Sequence, residues 1–174
     1  MWSYRQPVEI LFGKGRVKEL ANAAAMVGGN RGLLVTSPFF VKSGMAADIV
    51  AQSGGALVGM YADVSPNPDV TEADACAAML RQTGADFVVA LGGGSVIDTG
   101  KGIANGVPDE GDVWDFYIGK RVPKQALPLG TILTLPAAGS EMSYSSVITN
   151  EDGMLKRGFN SITNVPLFSI LNPE

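Results

Sequence analysis

The chain has 174 residues, 46% of them hydrophobic and 17% charged, with a formal net charge of -4. That length suits one domain with a real core, and the composition excludes a disordered chain. It offers no basic run for nucleic acid and no apolar stretch long enough to span a bilayer, so neither partner is expected.

Met1-Trp2-Ser3-Tyr4-Arg5 lacks the apolar segment of a secretory signal, and the one cysteine, Cys76, rules out an internal disulfide. Both fit a reducing cytoplasm. Histidine is absent, which excludes a Ser-His-Asp triad, a Cys-His pair and a His-ligated metal site within this sequence. A metal bound here would need carboxylates alone.

Val8-Glu9-Ile10-Leu11-Phe12 alternates and predicts a short strand, followed by a turn at Gly13-Lys14-Gly15. Apolar spacing at Val17, Leu20, Ala21, Ala24 and Ala25 predicts a helix over 16–26, ended by Gly28-Gly29. Leu33-Leu34-Val35-Thr36 is a continuous apolar strand of the kind parallel sheets bury, with Ser37-Pro38 at its carboxyl end. A helix is expected over 45–52, a strand at Ala56-Leu57-Val58-Gly59-Met60-Tyr61, and a break at Pro66-Asn67-Pro68. The next helix, over 70–82, presents Val70, Ala73, Ala77 and Leu80 on its apolar face, with Thr71 and Asp74 as a capping box. Cys76 within it reads as a small core residue.

Phe87-Val88-Val89-Ala90-Leu91 then runs into Gly92-Gly93-Gly94-Ser95 and another helix. Glycines let the backbone turn tightly and approach a ligand, and Ser95 with Asp98 three residues on has the form of a capping box. A helix N-terminus opened by glycines offers free N–H groups and the positive end of a dipole, which is a site for phosphate. The same residues would also serve as a tight strand-to-helix turn with no ligand. Strand and helix alternate four times with short connections, the pattern of a parallel, doubly wound α/β sheet. Ligands of such sheets bind outside the carboxyl ends of the strands, where Ser37, Asn67 and Gly92-Gly93-Gly94-Ser95 all fall.

The remainder has a different character. Asp112-Val113-Trp114-Asp115-Phe116-Tyr117 predicts a helical turn or two, with Trp114 and Phe116 packed and with Asp112 and Asp115 solvated or capping. A strand at Gly130-Thr131-Ile132-Leu133-Thr134-Leu135 leads into Pro136-Ala137-Ala138-Gly139-Ser140-Glu141. Strands over 143–149 and 155–159 flank a hairpin turn at Asn150-Glu151-Asp152-Gly153, and 165–171 is a final apolar strand.

Several motifs now coincide in order: Phe12-Gly13-Lys14-Gly15, Pro66-Asn67-Pro68, Gly92-Gly93-Gly94-Ser95-Val96-Ile97-Asp98-Thr99-Gly100-Lys101, Leu135-Pro136-Ala137-Ala138-Gly139-Ser140-Glu141-Met142, and Lys156. Together they resemble the N-terminal domain of the iron-containing (group III) alcohol dehydrogenases, in particular the butanol-dehydrogenase-like branch. The resemblance covers essentially the whole chain. It implies one dinucleotide-binding α/β domain over 1–174, Rossmann-like and mostly parallel, with an added β-hairpin region as in dehydroquinate synthase. It also implies that the family's helical C-terminal domain, which carries one Asp and three His as ligands for Fe or Zn, is absent from this chain. The whole protein would be a metal-dependent oxidoreductase passing hydride between NAD(P)(H) and an alcohol or aldehyde, and the chain alone would be inactive. A homo-oligomer, often a dimer, is expected, and so is an apolar patch where the helical domain would face this one. Two alternatives stay open: a nucleotide-binding remnant without catalysis, and another reaction on the same architecture, as in glycerol dehydrogenases and maleylacetate reductases.

Carried over by position, the resemblance makes Gly93, Gly94 and Ser95 the pyrophosphate-binding turn. Asp98 matches the family's aspartate in this loop, Asn67 the family asparagine near the cofactor, and Ser143, Ser145 and Lys156 positions that contact the nucleotide across the cleft, which makes all five cofactor-site candidates. Lys101, one turn past Asp98, is read as its i,i+3 partner. Two departures matter. Many NAD-preferring members carry Asp after the second strand, and Ser37 stands there instead; its neutral hydroxyl removes repulsion of a 2′-phosphate, so NADP(H) is favoured, with NAD(H) as the alternative. Arg5, Arg31 and Lys42 are the cations nearby in sequence. Ala137-Ala138 stands where the wider family has Thr-Thr, so loop contacts there fall to the backbone or to Ser140.

Overall fold

The computed structural model describes residues 1–3, 6–109 and 111–173. Arg5, named above as a nearby cation, lies outside them. Among the described residues eight strands form, β1 Glu9–Phe12, β2 Gly32–Thr36, β3 Leu57–Tyr61, β4 Phe87–Gly92, β5 Leu129–Leu133, β6 Ser145–Asn150, β7 Leu155–Asn160 and β8 Phe168–Leu171. Six helices accompany them, α1 Leu20–Met26, α2 Pro38–Lys42, α3 Met45–Gln52, α4 Val70–Thr83, α5 Gly94–Gly106 and α6 Trp114–Tyr117. Six strands make one sheet in the order β1-β8-β5-β4-β2-β3, with each neighbouring pair parallel, and β6 pairs with β7 as a separate antiparallel hairpin.

The interior strands are mostly apolar because both faces are covered, and their buried Thr131 and Ser169 hydroxyls bond each other at 2.8 Å. Alternate residues of β4 serve opposite faces. Val88 and Ala90 join Leu33 and Val35 against α4 and α5, while Phe87, Val89 and Leu91 join Leu34 against α1 and α3. Gly100 lets α5 lie close on the sheet, since a Cβ there would stand 3.1 Å from the Ala90 Cβ. Trp114 and Phe116 are buried against the α4–α5 side, as expected; Tyr117 is buried beside them, and Cys76 is fully buried in the same core. No described helix is long and apolar enough to cross a membrane.

Several local expectations need correction. The 16–26 helix begins as a 3-10 turn over Arg16–Glu19 before α1 starts. A five-residue helix, α2, follows Ser37, with Pro38 at its first position where the missing N–H costs nothing. α4 is capped by Asp69, whose carboxylate accepts the Thr71 N–H at 2.8 Å, and not by a box of Thr71 and Asp74. Asp74 instead accepts the Val113 N–H at 3.0 Å, tying α4 to the segment before α6. The last strand is shorter than 165–171, because Ile162–Asn164 forms a 3-10 turn and the strand begins only at Phe168. Asp112 is a cap, accepting from the Trp114 N–H at 2.7 Å, whereas Asp115 pairs with Lys120 and Arg121 at 3.1 Å each.

Candidate dinucleotide site

The chain leaves β2 toward β3 on one side and leaves β4 toward β5 on the other, so the winding reverses between β2 and β4. The carboxyl ends of those two strands are therefore the topological switch point, where open parallel sheets bind their ligands. Thr36 at the end of β2 is paired with Leu91 of β4, and its Oγ donates to the Leu91 carbonyl at 2.9 Å. Ser37, the next residue, is half-buried and extended, and its side chain makes no capping bond to α2.

β4 ends in Gly92, where a Cβ would stand 2.6 Å from Val96 Cγ2 and 2.7 Å from its Cβ, so glycine is required for the turn into α5. Gly93, Gly94 and Ser95 are half-buried at the start of α5. The first intrahelical bond runs from the Ile97 N–H to the Gly93 carbonyl at 3.1 Å, which leaves the preceding N–H groups without helical acceptors. The 134–139 loop borders this turn, and a Cβ on Gly94 would come within 3.3 Å of the Ala138 Cβ. The turn is thus a shallow cradle of backbone donors at the positive end of a 13-residue helix. An anionic pyrophosphate fits that donor set.

Ser95 does not cap the helix, contrary to the sequence expectation. Its Oγ donates to the Pro66 carbonyl at 2.8 Å, which holds the 65–67 turn over the glycine run and brings the exposed Asn67 to the same edge. Asp98 does not close a capping box either. Its carboxylate accepts the Ser140 hydroxyl at 2.5 Å and the Val147 N–H at 3.0 Å. Burial pushes the Asp98 carboxyl up from its ordinary range, against the opposing pull of the Ser140 hydroxyl, Lys101, the Val147 N–H and Lys156. Lys156, exposed on β7 opposite Thr149, is thereby within electrostatic reach of Asp98.

Lys101 keeps the i,i+3 partner expected from its spacing and makes further contacts that spacing did not show. Its carboxylate partner is present, with Asp98 Oδ1 at 3.8 Å, but the side chain is fully buried and its ammonium points elsewhere. It donates to the carbonyls of Ser140, Ser143 and Ser145 at 2.8, 3.1 and 2.6 Å, and to the hydroxyls of Ser140 and Ser143 at 2.8 and 3.3 Å. Burial pushes its pKa down to about 8, with Asp98 and Glu141 opposing that shift. Further along α5, Asn105 donates to Asn164 Oδ1 at 2.8 Å, and the Ser146 hydroxyl, itself 2.6 Å from Tyr117, donates to the Asp98 carbonyl at 2.9 Å. One helix therefore carries both the glycine turn and the attachment of the hairpin segment with Ser143, Ser145 and Lys156. Ser37 follows β2, Gly93, Gly94 and Ser95 open α5 after β4, and Asn67 lies beside Ser95, while Ser143, Ser145 and Lys156 are linked to the same helix through Lys101 and Asp98.

Sequence reasoning missed the cleft beside this turn. A hollow of about 530 Å³ is lined by Lys18, Phe39, Phe40, Ile49, Thr134 and Asn172, among others, at the carboxyl ends of β4 and β5. Thr134 also donates its N–H to the Gly92 carbonyl at 3.1 Å, which joins the cleft to the glycine turn. Asn172 Oδ1 is a buried acceptor with no partner among the described residues. Only the paired aromatics Phe39-Phe40 directly after Ser37-Pro38 signalled this cleft in the sequence. Of the cations considered for a phosphate, Arg31 lies at the opposite end of β2, where its guanidinium donates to the Thr83 carbonyl at 3.1 Å; Lys42, on α2, stays on the Ser37 side. No group of three or more metal-ligating side chains occurs among the described residues.

A family model described as iron-containing alcohol dehydrogenase matches residues 7–173. The probable NADH-dependent butanol dehydrogenase 1 of Bacillus subtilis is 41% identical over 99% of this chain and 45% of its own length. The solved structure of sulfoacetaldehyde reductase from Bifidobacterium kashiwanohense in complex with NAD+ superposes with a TM-score of 0.94 at 40% identity, covering 99% of this chain and 46% of that one. NADH-dependent butanol dehydrogenase A of Thermotoga maritima gives 0.92 at 31% identity, over 99% and 44%. The chain thus spans about 45% of the length of the relatives it matches.

Proposed function

Because the chain belongs to the iron-containing alcohol dehydrogenase family, we propose that it is the dinucleotide-binding domain of an oxidoreductase that passes hydride between NAD(P)(H) and an alcohol or aldehyde. The observation that carries this reading is the glycine-opened N-terminus of α5, placed at the switch point of the sheet. Backbone N–H groups at Gly94 and Ser95 hold the pyrophosphate there. Ser37 meets the adenosine ribose, and the neighbouring cleft takes the base against Phe39 and Phe40, with Asn172 as a free acceptor. Asn67, Ser143, Ser145 and Lys156 flank the nicotinamide half, with Asp98 behind them. When bound, the nicotinamide supplies the hydride chemistry; this chain grips and orients it. No residue here is assigned to a metal, and Fe or Zn ligands of the whole protein are placed outside this chain. The small alcohol or aldehyde, and assembly into a homo-oligomer in a cytoplasmic setting, complete the proposal.

The first test is equilibrium binding of NADH and NADPH to the 174-residue chain by nicotinamide fluorescence. We expect a Kd at or below about 1 mM for at least one of them, in the range of ordinary cofactor use. Gly94→Val should weaken binding at least about tenfold by crowding Ala138 and the phosphate. Ser37→Asp should weaken NADPH selectively, since the new carboxylate repels a 2′-phosphate. If neither dinucleotide binds, the reading falls.

A further inference from the structure

We infer that Lys101 is a positioning residue of the dinucleotide site: its buried ammonium sets the 140–145 loop against α5 and so fixes where Ser143 and Ser145 meet the bound cofactor. The inference rests on the dinucleotide reading above. A lysine kept for its charge alone would sit against its carboxylate, yet Asp98 is the more distant neighbour at 3.8 Å. The five nearer oxygens all belong to Ser140, Ser143 and Ser145, at 2.6 to 3.3 Å. An ammonium has three protons, and three carbonyls from one loop converge on it. Asp98 completes the attachment by taking the Ser140 hydroxyl and the Val147 N–H. Ser140 is oriented by both, since its Oγ accepts from Lys101 and donates to Asp98.

Energetics support a positioning role over a stabilising one. Burying a charge is costly, and well-packed apolar replacements of buried ionic groups are often no less stable. What an apolar side chain cannot do is collect three carbonyls at one point. Ser143 and Ser145 themselves remain half-buried, so the loop is held from beneath while its outer side stays accessible.

Two measurements test this. In the 174-residue chain, Lys101→Met should weaken NADH binding about tenfold or more, a normal coupling between linked sites, while thermal unfolding is followed in parallel. Because that variant leaves Asp98 uncompensated, the unmodified chain supplies a second measurement that does not depend on the variant's folding. Its lysines are reductively methylated with and without NADH and read by peptide mass spectrometry. Lys101 should label slowest, even though its lowered pKa would favour reaction if it were accessible. Saturating NADH should slow it a further severalfold, a coupling that a purely structural lysine would not show. The inference is overturned if the folded Lys101→Met variant binds NADH normally, if Lys101 labels as fast as the exposed Lys120, or if NADH leaves its rate unchanged. Failure of the unmodified chain to bind either NADH or NADPH sinks the cofactor reading and this inference together; normal binding with an indifferent Lys101 sinks this inference alone.

Discussion

A single methyl group tests the glycine turn at its tightest point. An alanine at 92 would drive its Cβ into Val96, at 2.6 and 2.7 Å from two side-chain carbons that a short β-branched residue cannot move aside. Gly92→Ala should therefore cost about 1–3 kcal/mol, read as a lowered urea midpoint. Lys101 gives a prediction of opposite character. Its folded pKa of about 8 lies below the unfolded value, so between the two the unfolded chain binds more protons and stability from this group rises with pH. Urea midpoints of the unmodified chain should thus climb from pH 8 to 10 relative to a folded Lys101→Met variant; a falling difference would show that the ammonium is not desolvated. Spacing made Lys101 and Asp98 partners, and that pair exists. Spacing could not show that the lysine points into a loop some forty residues later, because the loop's path depends on the hairpin being folded onto α5. Ser95 misled for the same reason: its hydroxyl had a local cap available and took the carbonyl of Pro66 instead.

At the scale of elements, α4 and the hairpin share one carboxylate. Asp69 caps α4 through the Thr71 N–H and also accepts the Glu151 N–H at 2.8 Å from the hairpin turn. Asp69→Ala removes both, so we expect a loss of about 1–2 kcal/mol by thermal or chemical denaturation, with faster amide exchange at 149–152. The capping box read at Thr71 and Asp74 had the right residue types, but the true cap lay two residues earlier and Asp74 was drawn to Val113. Strands and long helices were legible because periodicity is set by burial over many residues. α2 was not, since five residues after Ser37-Pro38 carry less than two turns of pattern. The hairpin was legible from its alternation and its Gly153 turn, though its attachment to α5 was not.

For the molecule as a whole, the exposed apolar surface leads to a solution prediction. A hollow of about 820 Å³ lined by Pro7, Met142, Tyr144, Ile162 and Val165 opens beside the hairpin, and Tyr144 and Ile162 are 57% and 78% exposed. Contiguous apolar surface of this kind favours association. Sedimentation should show concentration-dependent self-association, reduced by Ile162→Glu; a strictly monomeric chain at all concentrations would refute the expectation. The winding order is equally a property of the whole. Alternation of strands and helices predicted a parallel doubly wound sheet, but the order β1-β8-β5-β4-β2-β3, with the last strand inserted between the first and the fifth, follows only from the assembled packing.

The sequence by itself determined the fold class, the place of the glycine turn and the family, because each is written in local terms: buried apolar runs, helical spacing, and glycines where a side chain would collide. Tertiary structure alone decided how those parts serve a site. It made Lys101 a loop anchor, turned Ser95 and Asp98 from caps into tethers, and opened the Phe39-Phe40 cleft beside the turn. The physical reason is common to all three. A polar side chain at a helix start has several acceptors or donors within reach, and which one it takes depends on which distant segments the folded chain brings near.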